Sequence, residues 1–321
     1  MKKSNGFTYL EKFGTYMIVI FLLIVGSFVS KKFLSAANLL NILDAISYLG
    51  ILASGMALVT YCGQSVDLSV PSTIAVASFV SILTLKFGMI PMIFCTLISG
   101  ALVGLLNGLV VGIFRINTVV WTLAMSFVFA GLIRVIFGSA NIYPTEGNIQ
   151  VFEQISRYRV FGQVPLGVVM MLLLMTLLHI LVSYSRIGRQ FKMVGCSETV
   201  AWYSGIHVSG IITLAFVGSG LMAALTGLFI ASLSKSACYN YGVGYEFRAI
   251  TAVVLSGMVL DGGRGSIAGV FGGVLAIGLL NNIMTLIGLN SFLQDVVTGV
   301  VFIAIVWLTN YTTKKSEALN G

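Results

Sequence analysis

The chain has 321 residues, of which 58% are hydrophobic and 9% charged, with 36 glycines, 4 prolines and a formal charge of +8. A mean hydropathy of +1.02 excludes both a soluble globular domain and a disordered chain. The 18 basic residues stand at the ends of apolar runs rather than along one stripe, which excludes a nucleic-acid-binding face.

Apolar runs long enough to cross a bilayer recur along the chain, and the alternating segments of a β-barrel are absent. The sequence therefore predicts an all-α polytopic membrane protein, since helices satisfy their own backbone groups in lipid. Ten transmembrane helices are expected, near 14–30, 40–62, 70–86, 90–113, 117–137, 164–184, 209–232, 248–260, 266–287 and 292–310. The basic opening MKKSNGFTYLEKF lacks a small-x-small cleavage site, so the first run reads as an uncleaved span. An even number of crossings returns the tail to the starting side. Slightly more basic residues (Lys2, Lys3, Lys12, Arg115, Arg186, Arg189, Lys192, Arg264, Lys314 and Lys315) then fall on the cytoplasmic side, with both termini. No linker or low-complexity tract divides residues 1–321, which read as one membrane domain.

The second span ends in YCGQSVDLSVPST. An acid such as Asp67 near hydrocarbon must be capped, solvated or functional. Asp67 and Ser69 either serve as caps, with Ser69 capping the third span and Pro71 in its first turn, or line a water-filled path with Gln64 and Ser65. The fourth span carries Gly100, Gly104, Gly108 and Gly112, a side-chain-free face for a neighbouring backbone. Gly220, Ala224, Gly227 and Ala231 in the seventh span, and Gly265, Gly269 and Gly273 in the ninth, repeat the device. Asn107, Asn117, Asn281 and Asn282 are uncharged amides in apolar runs; they either bond across helices or favour a neutral, polyhydroxylated solute over an ion. The longest polar stretch, 138–163, is expected outside, and the eighth span is short enough to be tilted or broken.

Between the sixth and seventh spans lies a polar island, RIGRQFKMVGCSETVAWYSGIHV, residues 186–208. Ser197 is placed to cap a helix over 198–204, Glu198 to meet its positive end, and Gly205 to stop it. Val200, Ala201 and Ser204 form a small face, with Trp202 and Tyr203 as large anchors nearby. Two turns are unstable alone in water. This helix must dock, against either its own membrane face or another protein.

Signs of catalysis are thin. Gly63-Gln64-Ser65-Val66 matches the GxSx of intramembrane serine proteases, with His179 as an imaginable base, but so loose a pattern arises by chance. HExxH, GxSxG and a phosphate loop ending in GK[ST] are all missing, and the GGRG at 262–265 has neither the lysine nor the spacing of a nucleotide cradle. Cys62, Cys95, Cys196 and Cys238 make no CxxC pair. No catalytic residue, metal site or cofactor is assigned to the chain.

Three stretches resemble the ribose/xylose/galactose-type permeases of bacterial ABC importers. GRQFKMVGCSETVAWYSGI is similar to that family's cytoplasmic coupling segment and keeps Gly188, Arg189, Gly195, Glu198, Ala201 and Gly205. MALVTYCGQSVDLSVPS keeps Met56, Asp67, Leu68, Ser69 and Val70, and GYEFRAITAVVLSGMVLDGGRGSIAGVFGGVLAIGLLNN keeps Gly244, Tyr245, Glu246, Ala249, Ile250, Gly262, Gly263, Gly265, Asn281 and Asn282. Departures are Gln64 and Ser65 for a glycine pair, Pro71 for glycine, Arg248 for aspartate, and Asn117-Thr118 for a small or proline-phenylalanine pair. The resemblance implies one transmembrane permease subunit in the inner membrane, coupled through Gly195, Ser197, Glu198, Ala201, Trp202 and Gly205 to an ABC ATPase that binds ATP and Mg, often as two fused cassettes. It also implies a second permease chain, alike or a sister, and a periplasmic or lipid-anchored binding protein received by 138–163 and 234–248. The solute would be a monosaccharide or related polyol. The related branched-chain amino-acid type of ABC permease, and a stand-alone channel or secondary carrier, are the competing transport readings.

Overall fold

The structure, a computed structural model, describes the backbone of residues 5–318 and the side chains of 14–304 and 307. The expected inward-facing Lys2, Lys3, Lys12, Lys314 and Lys315 lie outside the described side chains. Helix α1 (Asn5–Val29) leads to α2 (Ala36–Tyr61), α3 (Val70–Thr84) with a 3-10 turn at Leu85–Phe87, α4 (Met89–Phe114) and α5 (Thr118–Phe137). Next come α6 (Ile149–Arg157), a hairpin of β1 (Arg159–Val160) and β2 (Val164–Pro165), and α7 (Leu166–Tyr184). Two short helices, α8 (Arg186–Cys196) and α9 (Glu198–Tyr203), precede α10 (Val208–Ser234), followed by α11 (Tyr245–Leu255), α12 (Ile267–Leu286) and α13 (Ser291–Ala318).

Among the described residues, 7 helices are long and apolar enough to cross a membrane: α2, α3 with its 3-10 turn, α4, α5, α7, α10 and α12. The first and last expected spans appear as shorter apolar stretches, Gly14–Val29 and Ser291–Ala304. The eighth is broken. α11 stops at Leu255, and Gly257, Gly262, Gly263 and Gly265 all take positive φ in the non-helical segment that follows. Eleven helical residues rise roughly 16 Å, about half a hydrocarbon core.

Helices α2 and α10 form the centre. α10 packs against α2, α3 and α4, while α11, α12 and α7 also close on α2. Apolar side chains such as Phe94, Val135 and Leu177 stay exposed on the periphery, as a lipid-facing surface requires. Local signals set many helix starts. Ser35, Asn117, Ser185, Ser197, His207 and Ser266 each accept an N–H from the first turn of the following helix.

The glycine face of α4 lies against α10. A Cβ at Gly100, Gly104, Gly108 or Gly112 would come within 3.0 Å of Gly220, Phe216, Thr213 or Ser209 respectively. Gly269 and Gly273 likewise approach the carbonyls of Ser256 and Ala252, at and just after α11. Gly104→Ala should lower thermal stability in detergent by about 2 kcal/mol, because the methyl meets the Phe216 backbone and neither helix can yield cheaply. Gly131→Ala, with nothing within 4 Å and an ordinary helical backbone, should not lower the melting temperature.

At the hairpin end, the 138–163 and 234–248 segments join. Ile142 and Ala237 exchange backbone hydrogen bonds of 3.0 and 2.8 Å, Lys235 pairs with Glu153 at 2.7 Å, and Ser232 donates to the Phe152 carbonyl at 2.7 Å. Arg248, one of the departing residues, pairs with Asp295 at 2.6 Å and ties α11 to α13.

Candidate functional site

The segment after α2 climbs back between the helices. Gly63 (φ +80) and Ser65 (φ +52) turn the chain, and Thr60 Oγ1 donates to the Ser65 carbonyl at 2.7 Å. This brings Asp67, 2% exposed, to Ser219 near the middle of α10. An isolated ionised carboxylate there would be very unfavourable. Asp67 is instead fully engaged: Oδ1 accepts from the Ser69 N–H (3.0 Å) and Oγ (2.6 Å), and Oδ2 accepts from Ser219 Oγ (2.9 Å). The expected cap at Ser69 is thereby corrected. Its side chain makes no cap bond, because its hydroxyl is committed to the carboxylate, although Pro71 does occupy the first turn of α3.

The network continues outward from this pair. Asn107 Nδ2 donates to Ser69 Oγ at 2.8 Å, and Trp121 Nε1 donates to Asn107 Oδ1 at 3.1 Å. Asp67, Ser69 and Asn107 thus meet in one buried cluster spanning α3, α4, α5 and α10. Ser219 and Trp121 went unnoticed in the sequence: one is a lone hydroxyl among small residues, the other reads as an apolar anchor.

At the α9 end, Gln64 leaves this cluster for another. Its amide donates to Glu198 Oε1 (2.9 Å) and accepts from Thr118 Oγ1 (3.0 Å). Glu198 Oε2 pairs with Arg115, the left-handed C-cap of α4. Beside it, three chain segments cross on glycine. The Gly263 N–H donates to the Tyr61 carbonyl at 3.0 Å, a Cβ on Gly195 would strike that same carbonyl, and one on Gly262 would strike Gly63. The end of α2, the end of α8 and the loop before α12 therefore touch backbone to backbone.

α9 forms as expected, capped by Ser197 and followed by Gly205 at φ +79. The small face is a different matter. Ala201 is fully buried on the side where α9 packs toward α8 and α10, whereas Val200 (60% exposed), Trp202 (64%) and Tyr203 (78%) face outward. The helix docks on its own chain through the alanine and presents the large side chains.

The remaining candidate amides stand elsewhere. Asn117 accepts from the Val120 N–H as the cap of α5. Asn282 exchanges hydrogen bonds of 3.0 Å each way with Asn38, at the opposite end of α2 from Asp67, and Asn281 adjoins it on α12. Ser219, which holds Asp67, lies beside Gly55, and the stretch of α2 from Asn38 to Gly55 spans about 25 Å, so Asn281 and Asn282 do not join the Asp67 cluster. The imagined protease pair also fails to meet: no hydrogen bond joins Ser65 to His179 among the described residues, and His179 Nδ1 is buried without a partner.

On the other side of Leu68 and Pro71 lies a concavity of about 380 Å³ between α3, α5 and α11. Phe127, Tyr239 and Phe247 supply aromatic walls; Ser72, Ser126, Arg134, Asn240 and Glu246 supply polar groups. The Arg134 guanidinium lies 4.2 Å from the centre of the Tyr239 ring. Rings beside hydrogen-bonding groups suit an amphiphilic, uncharged solute. Of these residues Ser72, Glu246 and Phe247 fell within the family-like stretches; Ser126, Phe127, Arg134, Tyr239 and Asn240 lie outside them, with no common spacing to mark them.

Comparison with known proteins fits this architecture. A family model described as "Branched-chain amino acid transport system / permease component" matches residues 38–306. The ribose import permease protein RbsC of Bacillus subtilis (strain 168) is 34% identical over 301 residues, covering 93% of this chain and 92% of that relative. RbsC of Escherichia coli (strain K12) is 33% identical over 293 residues, covering 90% of each chain. The galactose/methyl galactoside import permease protein MglC of Escherichia coli (strain K12) is 28% identical over 338 residues, covering 98% of this chain and 99% of that relative. No solved structure matches the chain. With apolar helices enough to cross a membrane several times and these relatives along most of its length, the chain belongs to the family of transport-system permease components, as a multi-pass membrane protein.

Proposed function

We propose that this chain is the membrane-spanning permease subunit of an ATP-driven, binding-protein-dependent importer in a bacterial inner membrane, moving a monosaccharide or related polyol. The relatives named for ribose and galactose import support the sugar class over the amino acids in the family's description. Ten crossings, counting α1, α11 and α13 with the seven long helices, leave both termini and the α8–α9 pair in the cytoplasm. The joined segments at the hairpin end then face outward as the landing surface for a binding protein. The concavity at Phe127 and Glu246 opens the outer half of the solute's path, above the Asp67 cluster. Hydrolysis of ATP belongs to a partner carrying two cassettes, and a second permease chain completes the pathway; this subunit carries no catalytic residue and holds no metal or cofactor.

One observation carries the reading: α9 is pinned to its own bundle through Ala201 and Glu198 while exposing Val200, Trp202 and Tyr203. A two-turn helix clamped on one face and apolar on the other transmits a push from a partner as a rigid lever. Vesicles holding this chain with its ATPase and binding protein should take up radiolabelled ribose or galactose, and not leucine, only when ATP is present. Val200→Asp or Tyr203→Asp should cut that uptake at least about tenfold at unchanged membrane levels, since a charge in a desolvated contact is poorly tolerated. Ala201→Asp, by contrast, should prevent accumulation, because its site is inside the chain. Uptake by Tyr203→Asp at the parent rate would remove α9 as the contact.

A further inference from the structure

Two of the residues by which this chain departs from its family pattern, Gln64 and Thr118, bond to each other. Position 64 stands where the pattern has glycine, and position 118 where it has a small residue or phenylalanine. Neither alternative makes the bridge seen here, in which Thr118 Oγ1 donates to Gln64 Oε1 and Gln64 Nε2 donates to Glu198 Oε1. Glu198 closes the line on Arg115.

The bridge does not end at the mouth. Thr122 Oγ1 donates to the Thr118 carbonyl at 2.8 Å and accepts the Leu68 N–H at 3.0 Å. The line therefore runs from α9, through Gln64 and the first turn of α5, to the backbone beside Asp67. Its end members come from α4, α5, α9 and the loop after α2, and Gln64 is the only side chain in it that touches both α5 and α9. A planar amide fits this post because it offers donors on one side and an acceptor on the other.

We propose that Gln64 is a positioning residue that clasps α9 to the Asp67 loop, so that a displacement of α9 is passed to the solute path instead of being lost between α9 and the loop. This rests on the importer reading. The loop's own bonds, Gly63 N–H to the Thr60 carbonyl, Gln64 N–H to the Val59 carbonyl and Thr60 Oγ1 to the Ser65 carbonyl, tie it to the end of α2, which leaves it a poor strut toward α9. The clasp supplies the missing stiffness, and its bond to a carboxylate is of the stronger, charge-assisted kind. Without it, cassette closure moves α9 while the loop lags, and ATP is hydrolysed without import.

The test uses vesicles containing this chain, its ATPase and its binding protein, and reads radiolabelled ribose or galactose imported per ATP hydrolysed. Gln64→Glu sets a second carboxylate against Glu198 and should lower that ratio about tenfold, by raising idle hydrolysis. The paired change Gln64→Glu with Glu198→Gln restores one amide and one carboxylate and should bring the ratio back to within about twofold of the parent. If the single variant fails to accumulate, Thr118→Val reads the same line from its other bond and should lower the ratio in the same direction. A purely structural role would reduce import and hydrolysis together and leave the ratio unchanged, which would overturn the proposal. So would a paired variant no better than the single one. A parent assembly that imports none of these sugars with ATP would overturn the importer reading itself, an outcome separable from any behaviour of the variants.

Discussion

Gly195→Val should abolish accumulation of the folded chain. Even the first carbon of the new side chain would occupy the space of the Tyr61 carbonyl and crowd the Gly263 amide, both backbone groups that cannot swing aside. Relief would require opening the crossing of α8, α2 and the loop before α12, breaking the 3.0 Å bond from Gly263 to Tyr61. Overpacking together with a broken buried hydrogen bond is destabilising on the order of 4 kcal/mol, a large share of what holds most proteins folded. Membrane yield and melting temperature in detergent measure the effect. A valine variant that accumulates and melts like the parent would mean that α8 is not held against α2 through this residue.

Asp67→Ala should lower stability by about 3 kcal/mol and reduce uptake by at least about a hundredfold, because it strands the Ser69 N–H and the Ser219 hydroxyl where water cannot reach them. Asp67→Asn should stay within about 1 kcal/mol of the parent: the amide oxygen still accepts from Ser69, and the Ser219 hydroxyl turns to accept from the amide nitrogen. The comparison separates geometry from charge. If the loop matters as a fixed shape, asparagine keeps at least about a tenth of the uptake, and an asparagine variant as inactive as alanine would show that the carboxylate charge itself is required.

Features that depend on near neighbours were open to reading. The capped helix after Ser197 and its stop at Gly205 follow from residues within one turn of each end. The row of glycines on α4 announced a close approach, though not that α10 would be the partner. The break after Leu255 was half visible in the shortness of its apolar run. Ala201 was harder, because a small residue on a short helix suits an outward or an inward contact equally, and only the packing of α9 toward α8 and α10 chose between them.

From composition and spacing came the membrane class, the places where helices begin and end, and a short list of polar groups that had to find partners in an apolar medium. Which partners they found was set by packing: Asp67 meets Ser219 across 152 positions, Gln64 meets Glu198 across 134, and Asn38 meets Asn282 across 244. Leaving a buried polar side chain without a hydrogen bond is costly, so its presence in an apolar run signals a need without naming the partner. The partner is whichever group the crossing helices bring within about 3 Å, and that is a property of the assembled bundle.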